Sequence, residues 1–190
     1  MVYKERALDP EQINEVIRSV AAVFAEMGEP VALAGGVALQ TYGSPWFTTD
    51  VDFLAPQTIP KGAGFRKIRP LGFGGDEFRA PNGVKTDIIV RSDDYRELYE
   101  EALEKAQATP ECMLLVYPEY LAAMKLAAGR DKDLLHLKWM LRQTRLLDLK
   151  ELANLVYRFV GGRFGVDQLQ KISDHVEFEN RKGRRQDDEP

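Results

Sequence analysis

Thr48-Thr49-Asp50-Val51-Asp52-Phe53-Leu54, closed by Pro56, is the stretch whose reading decides the fold. β-Branched and apolar residues dominate it, which predicts a strand. Side chains alternate along a strand, so Asp50 and Asp52 project from one face while Val51 and Phe53 face a core. Two carboxylates side by side repel unless positive charge sits between them. A hard divalent ion such as Mg²⁺ or Mn²⁺, which takes oxygen ligands, answers that need. Taken alone, an Asp-x-Asp pair fits the solvent side of a half-exposed strand better than a metal site. An EF-hand is excluded, because Phe53-Leu54-Ala55-Pro56 supplies neither the further oxygen ligands nor the glycine.

Upstream, the run Val31-Ala32-Leu33-Ala34 reads as a short strand, followed by Gly35-Gly36 and a helix over Val37–Tyr42. A glycine pair at a strand-to-helix junction lets backbone approach a ligand closely, and a helix amino end attracts phosphate. Before it, Asp9, Pro10 and Gln12 form a capping-box start. Ile13, Val16, Ile17, Val20, Phe24 and Met27 recur at helical spacing until Gly28. Downstream, Gln57–Gly83 is rich in Gly and Pro, with weakly signalled strands near Phe65–Arg69 and Glu77–Ala80. The turn residues Asn82-Gly83 then lead into the strand Val84–Val90. Asp87 lies in its middle, where desolvation disfavours a lone acid. A third carboxylate on a neighbouring strand completes a set suited to a two-metal site.

Beyond Val90 the pattern predicts a helix from Asp93 to Ala106, a strand from Cys112 to Val116, then helices over 118–128, 131–144, 148–160 and 167–175. Asp148 and Glu151 have capping-box spacing. The fold class expected is α/β (α+β): a mixed sheet flanked by helices, with a helical C-terminal part. The boundaries are 1–117 for the α/β core with its N-terminal helix, 118–176 for the helical part, and 177–190 for a disordered tail. The tail's basic residues, Arg181, Lys182, Arg184 and Arg185, meet Asp187, Asp188 and Glu189 at once, so they read as a solvated end.

The 190 residues carry 26 basic and 30 acidic side chains, a net charge of −4, which argues against a generally basic nucleic-acid-coating protein. An apolar share of 44% supports a real core. One cysteine and two histidines exclude a Cys/His zinc site and an internal disulfide. Cys112 reads as a small buried hydrophobe. No apolar run reaches the length of a membrane span, and the polar Met1–Asp9 stretch predicts no signal peptide. The expected address is the cytoplasm, with no membrane partner.

Gly35-Gly36-Val37-Ala38, Thr48-Thr49-Asp50-Val51-Asp52-Phe53 and Asp87 together resemble the signature of the DNA-polymerase-β-like nucleotidyltransferase superfamily. Lys125 and Arg130-Asp131-Lys132-Asp133 resemble the helical part of its small bacterial branch related to abortive-infection toxins. The resemblance covers roughly Val31 to Leu141. It implies Mg²⁺ (or Mn²⁺), and transfer of a nucleoside monophosphate from an NTP such as ATP to a hydroxyl acceptor on RNA, protein or a small molecule. It also implies a cognate antitoxin-like partner. Asp50, Asp52 and Asp87 become metal ligands and catalytic residues, with Asp87 also the base. Gly35, Gly36, Thr48 and Lys125 become nucleotide contacts. Trp46 stands where members commonly carry Arg after the turn proline, which gives the alternative of a non-catalytic module binding a nucleotide or a protein.

Overall fold

The computed structural model describes residues 7–109, 113–143 and 145–187. Cys112 lies outside them. The chain divides into two compact units, Met1–Tyr117 and Pro118–Pro190.

The first unit runs α1 (Pro10–Met27), β1 (Ala32–Ala34), α2 (Gly35–Thr41), β2 (Asp50–Leu54), β3 (Arg66–Pro70), β4 (Gly75–Arg79), β5 (Lys85–Ile89), α3 (Arg96–Lys105), β6 (Gln107–Ala108) and β7 (Leu114–Leu115). Its seven strands form one mixed sheet in the order β3-β4-β5-β2-β1-β7-β6. The α+β class expected from the sequence is therefore the class of this fold. The β2 strand lies parallel to β5 and antiparallel to β1, which puts the two acid-bearing strands side by side. Val51, Phe53 and Ile88 bury themselves completely and anchor those strands from below the acids.

Local chemistry fixes the ends of these elements. Asp9 caps α1, its carboxylate accepting from the Gln12 N–H at 2.9 Å while Gln12 Oε1 accepts from the Asp9 N–H. Gly28 closes the helix in the left-handed region. The weakly signalled strands are real, at Arg66–Pro70 and Gly75–Arg79. At the turn before β5, Asn82 Oδ1 accepts from the Val84 N–H, and its amide donates to the Gln12 carbonyl and to Glu15 of α1. Just past β5, the Arg91 guanidinium packs over the Phe73, Tyr95 and Tyr99 rings. Both ends of the strand that bears Asp87 are thereby tied down.

The second unit comprises α4 (Pro118–Ala128), α5 (Asp131–Arg142), α6 (Leu149–Phe159) and α7 (Gly162–Asp187). Leu121, Leu137, Met140, Leu152 and Leu155 form its buried core. Asp148 caps α6 by accepting from the Lys150 and Glu151 amides. The α7 helix runs on through Glu177 to Asp187. Charge pairing explains this: Arg181 bonds Glu177 one turn away, Lys182 covers the Phe178 ring, and Arg142 of α5 pairs with Glu179. Among the described residues, no helix is long and apolar enough to cross a membrane.

Candidate functional site

Parallel pairing in register sets Asp52 directly opposite Asp87, and Asp50 opposite Lys85. Residues two apart on a strand share a face, so Asp50, Asp52, Lys85 and Asp87 all project from the same side of the sheet. Carboxylate oxygens of Asp50, Asp52 and Asp87 lie within 4.8 Å of one another. On the far side of β5, the antiparallel register adds Glu77 of β4 opposite Asp87, and then Arg69 of β3 opposite Glu77. One row thus crosses the sheet as Asp52, Asp87, Glu77 and Arg69.

The electrostatics follow from that row. Lys85 Nζ lies 3.1 Å from Asp50 Oδ2, 3.7 Å from Asp87 Oδ2 and 4.0 Å from Glu77 Oε2. Burial alone would lower the Lys85 pKa, but the Asp87, Asp50 and Glu77 charges outweigh it and hold it above its ordinary value. Asp87 is 9% exposed. Its burial pushes the carboxyl above the ordinary range; Lys85 opposes the shift, whereas Asp50 and Glu77 add to it. Among the described residues, its buried Oδ1 finds no hydrogen-bond partner. A buried acceptor left unmatched is costly, so it marks a place prepared for something else.

The flanking residues shape this cluster. Gly35 has φ +61°, and a Cβ there would overlap Asp52 Oδ2. A Cβ on Gly36 would come 2.8 Å from Thr48 Oγ1. Thr48 in turn donates to Asp50, at 3.0 Å to its carbonyl and 3.1 Å to its Oδ1. Gly35 therefore makes room for Asp52 and Gly36 for Thr48, which orients Asp50. Both glycines lie in the first turn of α2, a helix of only seven residues. Just before Thr48, Phe47 is 82% exposed.

In the second unit, Lys125 Nζ is held by Asp133 Oδ1 at 2.8 Å, and Arg130 Nε by Asp133 Oδ2 at 2.5 Å. Asp133 is fully buried. Despite burial, the Arg130 hydrogen bond and the Lys125 charge keep its carboxyl below the ordinary range. Burial first, and then the Lys125 charge, pushes His136 down to about 4. Lys125 and Arg130 thus belong to one ion network closing the α4–α5 turn.

The acids, glycines and Thr48 singled out in the sequence converge in one place, while Lys125 is occupied by Asp133. Sequence reasoning missed Lys85 and Glu77. Lys85 was visible in principle, being two residues before Asp87 on a confident strand. Glu77 was hidden by the weak signal of β4.

The donor set, three carboxylates around an unmatched buried oxygen, fits Mg²⁺ or Mn²⁺, and the group can hold a divalent ion. No protein-family model matches the chain, and neither does any curated protein. Several solved structures are similar to it. A chain from H. pylori provisionally described as a nucleotidyltransferase is 15% identical, with 92% of this chain and 98% of that one covered and a TM-score of 0.48. An antigenic nucleotidyltransferase-like protein from Paracoccidioides brasiliensis is 18% identical, with 88% and 95% covered and a TM-score of 0.49. The antibiotic-resistance factor ANT(2'')-Ia is 14% identical, with 93% and 100% covered and a TM-score of 0.45. At such identities and scores, those proteins' activities do not transfer to this chain.

Proposed function

We propose that this protein is a metal-dependent nucleotidyltransferase that moves a nucleoside monophosphate from an NTP to a hydroxyl acceptor. The observation that carries the reading is the carboxylate group of Asp50, Asp52 and Asp87 with its unmatched buried Asp87 oxygen. Those three residues would hold Mg²⁺, which when bound supplies charge neutralisation for a phosphoryl displacement. Asp87 accepts the proton of the acceptor hydroxyl as general base. The new bond joins the acceptor oxygen to the α-phosphorus, the α–β bridging bond breaks, and pyrophosphate leaves. Thr48 orients Asp50, and Gly35 leaves space beside Asp52.

Gly36 and Lys125 complete the proposal as nucleotide contacts. Lys125 would share its ammonium between Asp133 and a triphosphate, since it has three N–H donors. The segment Lys125 to Asp133 supports placement in the abortive-infection-toxin-like branch, with a cytoplasmic address and an antitoxin-like partner. Incubation with NTPs labelled at the α-phosphate, Mg²⁺ and a pool of small RNAs, proteins and aminoglycosides tests the reading. Labelled acceptor is expected with wild type and not with Asp87→Asn.

One observation favours a second reading. Lys85 already gives the acids an internal counter-ion, so they can coexist without a bound metal. Nucleotide binding equal in wild type and Asp87→Asn, with no transfer in either, would favour that non-catalytic module.

A further inference from the structure

Four carboxylates, Asp50, Asp52, Asp87 and Glu77, share one face of β2, β5 and β4, and the Lys85 ammonium stands among them. Two of its three nearest carboxylates, Asp50 at 3.1 Å and Asp87 at 3.7 Å, belong to the group that can hold a divalent ion. Mg²⁺ binds oxygen at about 2.0–2.1 Å, so an ion on those oxygens would have the ammonium as an immediate neighbour. Like charges that close repel strongly. Lys85 cannot leave through the backbone, because its Cα is held in register opposite Asp50. Its side chain can turn towards Glu77, at 4.0 Å, a carboxylate outside the metal group.

We propose that Lys85 is an internal competitor for the divalent ion. It bridges Asp50 and Asp87 in the metal-free protein, moves towards Glu77 when the ion binds, and so sets the metal affinity of the site. This inference rests on the metal-dependent reading above. It explains how three close carboxylates coexist without an ion, and it makes metal affinity a property of a residue that is not a ligand.

Lys85→Met removes the charge while keeping most of the side-chain length. Mn²⁺ titration followed by electron paramagnetic resonance, with melting curves, should show two opposite effects. The variant without metal should melt lower than wild type, and it should bind Mn²⁺ roughly ten-fold tighter or more, as loss of a unit charge about 4 Å from a divalent ion implies. Lys85→Arg, which keeps the charge, should bind Mn²⁺ much as wild type does. A lower melting temperature with equal or weaker Mn²⁺ binding would make Lys85 a structural ion-pair partner and overturn the inference. If neither wild type nor Lys85→Met binds millimolar Mn²⁺, the metal-dependent reading falls and takes the competitor role with it. A readout on wild type guards against variants that do not fold. In ¹⁵N spectra of the lysine ammonium groups, the Lys85 signal should move as Mg²⁺ is added, and an unmoved signal alongside bound metal would contradict the proposal.

Discussion

Asp52 and Asp87 stand directly opposite each other on two parallel, adjacent strands. Side chains at such a pair are close neighbours, and like charges there destabilise a sheet. The register is nevertheless anchored from the other face by Phe53 and Ile88, which are opposite each other and completely buried. Packing on one face thus holds together, on the other, acids that repel.

Relief of that repulsion should be measurable. Because its carboxyl titrates above the ordinary range, Asp87 contributes most to stability below the unfolded value of about 3.9, and the contribution is lost as pH rises through the folded value. At neutral pH, Asp87→Asn should therefore raise the melting temperature of the metal-free protein while abolishing its stabilisation by Mn²⁺. Thermal melts with and without Mn²⁺ check both effects. A variant that melts lower without metal would contradict the account.

Gly35 should resist substitution. An added Cβ would overlap Asp52 Oδ2, and the backbone there has a positive φ. Gly35→Ala should cost about 1–3 kcal/mol through overpacking and strain. Denaturant melts measure that loss, and Mn²⁺ titration should show weakened binding because Asp52 must move. Gly83, also at positive φ but in open space, is the control, and its alanine variant should leave Mn²⁺ binding unchanged.

The helical unit should be acid-sensitive through His136, which burial and Lys125 push down to about 4. Its folded pKa lies below the unfolded value of about 6.5, so the unfolded state binds more protons between the two. Stability should fall by on the order of 2 kcal/mol as pH drops across that window. His136→Gln should flatten the profile there. The Asp133 contribution is lost only at lower pH, since Arg130 and Lys125 hold its carboxyl below the ordinary range.

Much of the site was legible because period-two alternation and in-register pairing are local rules. Asp50 and Asp52 declared their shared face from spacing alone, and Asp87 stood out as an acid inside an apolar strand. The role of Gly35 was legible only as backbone permissiveness, because its true neighbour, Asp52, is 17 positions on in the chain and reaches it through β1–β2 pairing. Glu77 and Arg69 were illegible, since β3 is fully exposed and β4 lies in a stretch rich in Gly and Pro. The continuation of α7 past Glu177 was hidden for another reason. Its support comes from paired charges, which a hydrophobic pattern does not register.

The central claim is that Asp50, Asp52 and Asp87 form the metal centre of a nucleotidyl-transfer site. Crystals grown with Mn²⁺ and a non-hydrolysable NTP test it most directly, through anomalous scattering at the manganese edge. The account predicts a peak bonded to oxygens of all three carboxylates, with the triphosphate on the same ion and Lys85 turned towards Glu77. No peak among the three acids, with the Lys85 ammonium still 3.1 Å from Asp50, would contradict it.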